Sequence, residues 1–275
     1  MSLVKGLGKS LMNRGGPYEL VAATVGYAVL LLLYLPIIWL MLLSFSTDPL
    51  SATVPGFTTT WYEALLKGEQ FHAGEPVLLS LGIGFMTSVF CVIGAVAVGR
   101  SLPRMRSAVP LMFVFLLPLL IPGIVLGAGV FMYYRVLLGV KMGVWSLVLA
   151  HVMWAFPFAI ICMVIVSVRF DHRLLEAAAD LGATRWQRFR DIELPLLKPG
   201  IFAAAFFSFL LSFNELPRSI FLRSGELTLP LYLWIESSGS HSSTIPIIYA
   251  MSTIVALVSI VLVFIAVRMM FPKES

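Results

Sequence analysis

The sequence is short of charge: only 12% of its 275 residues are Asp, Glu, Lys or Arg, while 59% are hydrophobic. No polar stretch is long enough to bury a core of its own, which excludes a separate soluble domain within the chain. The mean hydropathy of +0.96 lies far above the range of soluble globular proteins. These absences indicate an integral membrane protein.

Cysteine and metal-ligand patterns are equally sparse. The two cysteines, Cys91 and Cys162, both lie inside apolar runs, so we expect core residues and no disulfide framework. The four histidines are scattered, with no Cys or His partner at the spacing of a metal site. The net charge of +5 is spread over short segments beside apolar runs, which does not indicate a nucleic-acid partner. We expect neither a metal site nor nucleic-acid binding.

Long apolar runs are what the sequence has in abundance. A helix that crosses a bilayer needs roughly 20 apolar residues, and six runs are long enough: 20–45, 77–99, 108–134, 142–168, 199–222 and 245–267. Only the fifth contains charged side chains. The first is too long for a signal-peptide core and no cleavage site follows it, so we expect a retained helix. The predicted fold is all-α, a polytopic membrane protein with six transmembrane helices.

Positive charge predicts the orientation, because Lys and Arg accumulate on the cytoplasmic side of membrane proteins. With a cytoplasmic N-terminus, 14 of the 19 Lys and Arg residues lie on the cytoplasmic side. We therefore expect both termini in the cytoplasm. The predicted organisation is a cytoplasmic segment, 1–19, a six-helix membrane domain, 20–271, and a cytoplasmic tail, 272–275.

Several runs contain prolines, namely Pro36, Pro118, Pro122 and Pro157. Proline removes a backbone donor and kinks a helix unless its neighbours compensate. In LLPLLIPGIVLGAG, residues 116–129, two prolines lie among three glycines. One interpretation is a bent helix that lines a pathway. The other is close helix packing, since small residues let backbones approach one another.

The most polar stretch is EAAADLGATRWQRFRDIELP, residues 176–195, with three arginines and four acids. Asp171 can cap a helix whose apolar residues share one face: Leu174, Leu175, Ala178 and Leu181. Gly182 follows the last of them, where a helix end often needs a left-handed residue. The pattern predicts a short amphipathic helix that ends at this glycine.

A second short helix is predicted directly after it. Thr184 and Gln187 have the spacing of a capping box, and Trp186 and Phe189 fall on one face of the helix that follows. Pro195 and Pro199 then close the segment and begin the fifth apolar run. By composition alone, this helix–glycine–helix unit is typical of an amphipathic hairpin lying on lipid.

The spacing favours a different interpretation. The order Glu-Ala-Ala, three residues, Gly, nine residues, Ile, one residue, Leu-Pro resembles the EAA loop of the permease subunits of bacterial binding-protein-dependent ABC importers. The residues that match the loop or extend it are Glu176, Ala177, Ala178, Gly182, Ala183, Ile192, Leu194 and Pro195. In that family, the loop forms coupling helices that dock into a cleft of a cytoplasmic ATPase.

The resemblance covers nearly the whole chain. Six segments are similar to the second permease subunit of spermidine/putrescine importers: YLPIIWLMLLSF, GFTTTWYEALL, GVWSLVLAH, LEAAADLGA, SFLLSFNE and LTLPLYLW. The resemblance implies the type I ABC importer permease fold and a coupling loop at 169–198. It implies four kinds of partner: a homologous permease in a heterodimer, two ATPase subunits, a periplasmic substrate-binding protein and the bacterial inner membrane.

The resemblance also assigns the chemistry to other subunits. The chain has no phosphate-binding loop with Lys and Ser/Thr, so we expect that it is not an enzyme and that ATP and Mg²⁺ are bound by the ATPase. The expected mechanism is alternating access. ATP binding closes the ATPase dimer, draws the coupling helices together and opens the pathway outward, and hydrolysis resets it.

The charged part of the fifth run, SFNELPRSIF, is the candidate substrate pathway, through Asn214, Glu215 and Arg218. Polyamine permeases tend to have two acids where Asn214 and Glu215 stand and an aliphatic residue where Arg218 stands. One interpretation is that Glu215 and Arg218 pair along a helix; another is that they contact a zwitterion. A third is that Pro217 ends the helix and leaves Arg218 in a wet external loop.

The predicted function is therefore a permease subunit for a small nitrogenous solute, with a polyamine such as spermidine or putrescine favoured. The alternative within this class is a zwitterion: an amino acid, an opine, GABA or an aminophosphonate. An ion-coupled secondary transporter is disfavoured, because we see no convincing internal repeat and five runs lack acids. A membrane-embedded enzyme is disfavoured, because the runs contain no paired acids and no Ser/His or metal-ligand constellation.

Overall fold

The structure is a computed structural model that describes residues 17–68, 71–102, 105, 108–171, 173–223, 225–239 and 243–270. Most of the predicted N-terminal segment and all of the predicted tail, 272–275, lie outside these ranges. Within them the regular structure is helical apart from one isolated bridge between Ser46 and Phe57, which confirms the all-α prediction.

Five helices of the described residues are long and apolar enough to cross a bilayer, and one sharply bent pair makes a sixth span. This agrees with the six predicted runs. The helices are α1 Pro17–Leu43, α2 Thr60–Lys67, α3 Gly74–Ser101, α4 Ala108–Leu116, α5 Gly123–Phe131, α6 Val144–Ser167, α7 Arg173–Asp180, α8 Arg185–Arg188, α9 Leu194–Phe213, α10 Ser219–Leu222, α11 Leu229–Ser238 and α12 Ile245–Met270.

The helices fall into two compact units. The first takes in α1, α2 and the start of α12, and the second takes in α3 to α11 and the rest of α12. In the first unit, hydrogen bonds hold α2 against the segment that follows α1. The indole Nε1 of Trp61 donates to the backbone oxygen of Ser46 at 2.8 Å, and the hydroxyls of Ser44 and Tyr62 lie 2.7 Å apart.

Helices α3, α6 and α9 form the core of the second unit by packing against one another. The residues at their contacts are mostly small and fully buried: Cys91 and Ala95 on α3, Ala155 and Ala159 on α6, and Ala204 on α9. Small side chains let helix axes approach closely, which replaces the hydrophobic driving force that is weak between helices in lipid. The prediction that both cysteines are core residues is confirmed for Cys91, whereas Cys162 on α6 is only half-buried.

The third apolar run is broken rather than gently curved. Its two halves, Ala108–Leu120 and Gly123–Leu137, meet at an angle of 91°. Pro118 lies in a 3₁₀ turn and Pro122 caps the start of α5, so neither proline has to fit inside a regular α-helix. The predicted bend is confirmed, whereas Pro36 and Pro157 lie inside the continuous helices α1 and α6.

The prediction of one helix over 199–222 is wrong. Helix α9 begins at Leu194 and ends at Phe213, and the separate short helix α10 follows at Ser219. The physical reason is Pro217, because a proline ring in a helix clashes with the carbonyl four residues earlier, here that of Phe213. The charged residues therefore lie in an irregular segment between two helices.

The close crossing of α3 and α6 makes a prediction about Gly99. A Cβ atom at Gly99 would overlap Cγ of the buried Met163 and lie 2.8 Å from Oγ of Ser167. Gly99→Ala should therefore destabilise the purified protein by about 1–3 kcal/mol, the usual effect of overpacking. The measurement is the melting temperature in detergent.

A matched control is Gly82→Ala on the same helix, where a Cβ meets nothing within 4 Å. This variant should melt at or slightly above the wild-type temperature, since it also removes a glycine from a helix interior. Equal melting temperatures for the two variants would contradict the packing described here.

Candidate functional site

The charged stretch of the second unit folds into the two helices that its sequence predicts. Oδ1 of Asp171 accepts a hydrogen bond from the backbone nitrogen of Arg173 at 3.0 Å, at the start of α7. Helix α7 ends at Asp180, and Gly182 has a φ of +83°, the left-handed conformation expected after a helix end. Both local predictions are confirmed.

The capping box at the start of α8 is also confirmed. The backbone nitrogen of Gln187 donates to Oγ1 of Thr184 at 3.3 Å, and the backbone nitrogen of Thr184 donates to Oε1 of Gln187 at 2.8 Å. The rings of Trp186 and Phe189 lie 5.6 Å apart, as their predicted shared face requires. Reciprocal caps of this kind fix the entry of a helix, which makes the bend at Gly182 a defined corner.

The apolar residues of α7 divide into a packed group and a free group. Leu175 is 8% exposed, whereas Leu174 and Leu181 are 49% and 89% exposed. Trp186 of α8 is 64% exposed. The residues of the predicted face therefore have different surroundings, because Leu175 packs inward while Leu181, just after α7, and Trp186 leave a bare apolar surface at the corner.

Helix α8 is joined to the fifth span without a break. Residues Phe189–Glu193 form a π-helical turn that leads directly into α9, so helical backbone extends from Arg185 to Phe213. The prediction that Pro195 begins the fifth span agrees with its place in the first turn of α9, whereas Pro199 lies inside that helix.

An ion pair ties this junction to α3. Nη2 of Arg100 lies 2.6 Å from Oε2 of Glu193, whose side chain is 7% exposed, and the Arg100 guanidinium lies 4.3 Å from the centre of the Phe189 ring. Sequence reasoning did not single out Arg100 or Glu193. The available signal was an acid between the Ile and Leu-Pro of the matched pattern, with an arginine at the end of an apolar run.

The residues that match the EAA pattern are distributed along this unit. Glu176, Ala177, Gly182 and Pro195 are exposed, whereas Ala178, Ala183, Ile192 and Leu194 are half-buried. The half-buried members support the corner and the junction from inside. The exposed ones leave the outer surface of α7 and its glycine bend open to a partner.

The charged residues after α9 form a buried ion pair. Oε1 of Glu215 accepts hydrogen bonds from Nη1 of Arg218 at 2.8 Å and from the Arg218 backbone nitrogen at 3.1 Å. Their side chains are 4% and 3% exposed. The prediction that they pair is confirmed, but they do so in a non-helical segment, and the prediction of a wet external loop around Arg218 is wrong.

Two glycines of α5 leave room for Arg218. A Cβ at Gly123 would lie 2.9 Å from Nη1 of Arg218, and a Cβ at Gly127 would lie 3.0 Å from its Cα. On another side, the Arg218 guanidinium lies 4.3 Å from the centre of the Trp154 ring on α6, a favourable cation–π arrangement. These contacts support the packing interpretation of the two glycines in the proline-rich run.

A hydrogen-bonded chain continues from the pair across four helices, α10, α6, α9 and α3. The ring nitrogens of His151 lie 2.7 Å from Oγ of Ser212 and 3.0 Å from Oγ of Ser219. Ser219 donates to the backbone oxygen of Glu215, and Ser212 donates to Thr87 on α3. Sequence reasoning missed His151, although a histidine inside an apolar run is itself a signal of an internal partner.

Asn214 does not join this buried group. It is exposed, and its Nδ2 donates to the backbone oxygen of Leu210 at 3.0 Å. The three predicted pathway residues are therefore split between one surface amide and one internal ion pair. Among the described residues, no three His, Cys, Asp or Glu side chains are grouped so that they could hold a metal ion.

The buried pair makes a prediction about stability. Arg218→Met leaves the Glu215 carboxylate buried without its partner, which should destabilise the protein by about 3–5 kcal/mol. The double variant Glu215→Gln/Arg218→Met removes both charges and should recover much of that loss. Melting temperatures of the two single variants and the double variant complete the cycle. Strictly additive effects would show that the two side chains do not interact.

Comparisons with known proteins agree with this architecture. A family model described as "binding-protein-dependent transport system inner membrane component" matches residues 91–275. The chain is 29% identical over 239 residues to the spermidine/putrescine transport system permease protein PotC of Escherichia coli K12, covering 86% of this chain and 88% of the relative. It is also 29% identical over 221 residues to a putative 2-aminoethylphosphonate transport system permease protein of Salmonella paratyphi A, covering 78% and 82%.

Among solved structures, the chain resembles an inward-facing form of the MetNI methionine ABC transporter. The TM-score is 0.56 at 18% sequence identity, and the match covers 78% of this chain and 98% of the other. At that identity the likeness concerns the fold alone. The broken third span, the folded EAA pattern and the match of the family model to residues 91–275 lead to one conclusion: this chain belongs to the inner-membrane permease components of binding-protein-dependent transport systems, and it has the type I ABC importer permease fold.

Proposed function

We propose that this chain is the permease subunit that carries a small nitrogenous solute inward and couples that movement to a cytoplasmic ATPase. The observation that carries the proposal is the loop at 169–198, which turns at Gly182 and presents Leu181 and Trp186 to the outside. A bare apolar corner on a capped helix pair suits a groove in a partner protein.

The helical junction supports the coupling role. A force applied at the corner acts on α8, and α8 continues through the π turn into α9 without a flexible linker. The ion pair between Arg100 and Glu193 ties the same junction to α3. Movement of the loop would therefore displace two spans of the core together, because close-packed helices do not deform continuously.

The remaining subunits follow from membership of the family. The proposal gives this permease a homologous permease as partner, two cytoplasmic ATPase subunits that bind ATP and Mg²⁺, and a periplasmic protein that delivers the solute. The transport cycle is alternating access, in which closure of the ATPase dimer draws the coupling loops together and opens the pathway outward. The loop and both termini are placed in the cytoplasm, as the distribution of Lys and Arg predicts.

A polyamine is the favoured solute. It is supported by the name of the Escherichia coli relative and by the similarity of six segments to spermidine/putrescine permeases. An acid near a pathway suits a polycation, and Glu215 is such an acid.

A zwitterion is the second candidate, and a specific contact favours it. The Glu215 carboxylate is neutralised by Arg218, so the buried group offers no net negative charge to a cation. A solute with one amine and one acid would match a paired acid and base. The relative named for 2-aminoethylphosphonate transport belongs to this chemical class.

The coupling role predicts a strong effect of Gly182→Ala. The φ of +83° disfavours any residue with a Cβ, by about 1–2 kcal/mol, and the corner would shift to relieve that strain. In the purified complex, we expect substrate-stimulated ATPase activity to fall about fivefold or more, and less ATPase to co-purify. Because the ATPase is cytoplasmic, its retention by the loop also tests the proposed orientation.

The matched control is Gly139→Ala. Gly139 has a φ of +67° and no atom within 4 Å of a built Cβ, so the variant introduces similar backbone strain outside the loop. It should leave coupling near the wild-type value. Equal losses in both variants, or solute transport by the chain alone in liposomes under an ion gradient, would contradict the coupling role.

The solute is tested by uptake in source cells that lack this chain, with and without its restoration. Labelled spermidine, putrescine and 2-aminoethylphosphonate are compared, with the empty vector as control. We expect polyamine uptake to disappear and to return on restoration, while 2-aminoethylphosphonate uptake stays unchanged. The reverse result would replace the polyamine by the zwitterion. Unchanged uptake of all three, with redundant transporters deleted, would reject both solutes and leave the permease assignment intact.

A further inference from the structure

A polar cavity lies beside the junction between the charged loop and the fifth span. Its volume is about 420 Å³, within the size range of small-ligand sites, roughly 300–1,000 Å³. It is bounded by the end of α3, by α7, by α8 and by the π turn, and its lining residues are Arg100, Leu175, Arg185, Arg188, Phe189 and Glu193. We name it the arginine cavity.

The charges around the arginine cavity do not cancel. Of the described residues, three arginines and one acid line it, and that acid, Glu193, is already paired with Arg100 at 2.6 Å. The other acids of the loop do not line the cavity, and Asp191 is paired with Arg190 at 2.7 Å. Arg185 and Arg188 therefore leave two positive charges without a compensating acid among the lining residues.

Several guanidinium donors of the cavity also lack acceptors. The Nε atoms of Arg100 and Arg188 are buried and have no hydrogen-bond partner in the described residues. Nη1 of Arg188 donates to the backbone oxygen of Leu175 at a long 3.4 Å. The Arg185 side chain is exposed and makes no hydrogen bond or ion pair within the described part of the chain. Buried donors without acceptors are unfavourable, so the cavity has both the charge and the vacant donors of an anion site.

The position of the cavity indicates which anion. Arg100 is the penultimate residue of α3, and Glu193 directly precedes α9, so two walls of the cavity are the ends of membrane spans. Lipid headgroups lie at that level, and basic pockets between spans on the cytoplasmic side bind anionic headgroups. Guanidinium groups match the oxygens of a phosphate in forked pairs.

We propose that the arginine cavity binds the phosphate of an anionic phospholipid headgroup, held by Arg185 and Arg188 of the loop and Arg100 of α3. The lipid bridges the loop and the span at the place where the Arg100–Glu193 pair already joins them. The binding itself does not depend on which solute is carried. Leu181 and Trp186 do not line the cavity, so the corner offered to the ATPase stays separate from it.

The test uses the intact purified transporter complex, stripped of lipid in a neutral detergent. Native mass spectrometry measures retention of added phosphatidylglycerol, with phosphatidylcholine as the neutral lipid and inorganic phosphate as the soluble anion. The variant is Arg185→Gln, because among the described residues the Arg185 side chain has no partner whose loss would disturb the fold. We expect selective retention of phosphatidylglycerol by the wild type and a loss of affinity of about tenfold in the variant.

The matched control is Arg190→Gln, which removes the same charge from the same loop at an exposed residue outside the cavity. It should retain phosphatidylglycerol like the wild type. If Arg185→Gln fails to assemble, Arg185→Lys keeps the charge without the forked geometry, and we expect it to bind with intermediate affinity.

Three outcomes would overturn the proposal. The first is equal phosphatidylglycerol affinity in the Arg185 and Arg190 variants. The second is the absence of any preference for phosphatidylglycerol over phosphatidylcholine. The same result is expected if an acid of the ATPase fills the cavity. The third is binding of inorganic phosphate that depends on Arg185 while phosphatidylglycerol is not retained, which would assign the site to a soluble anion.

Discussion

The carboxylate of Glu215 and the guanidinium of Arg218 are both almost fully buried. Burial of each charge is possible because the two neutralise each other. The surroundings of the pair fit it on each side: glycines of α5 leave room for Arg218, Trp154 covers its guanidinium, and Ser219 bonds to the Glu215 backbone. The segment after α9 is joined in this way to α5, the second half of the broken third span. In a bilayer, broken helices need such internal partners, because no water is available to their freed polar groups.

Under the proposed coupling role, the charged loop has the opposite requirement, because it must keep a surface free for a partner. Leu175 packs inward and the capping box fixes α8, so the loop has a defined shape without burying its corner. The π turn then carries that shape into α9, and the Arg100–Glu193 pair connects it to α3. A loop that is rigid inside and bare outside can transmit a displacement, whereas one fully packed against its own chain has no surface left for a partner.

The features that the sequence predicts well are local. A left-handed glycine after a helix and a capping box depend on residues a few positions apart, and both agree with the structure, as does the number of long apolar runs. The end of α9 at Phe213 was equally local, because Pro217 excludes helix four residues upstream, yet apolar length alone placed a span across it. The burial of Arg218, the link through His151 and the pairing of Arg100 with Glu193 depend on residues from different helices. No periodicity within one run contains that information.

If the proposed solute pathway runs beside the Glu215–Arg218 pair, the neutrality of the pair bears on how the permease selects its solute. An unpaired carboxylate in a low-dielectric path would favour any cation strongly, because Coulomb interactions are weakly screened there. A paired one presents a dipole, which orients a charged solute without selecting the sign of its net charge. Discrimination between a polycation and a zwitterion would then depend on hydrogen bonds and shape along the path, or on the protein that delivers the solute. One fold can serve both classes on that basis, since selectivity lies in a few side chains rather than in the helices that carry them.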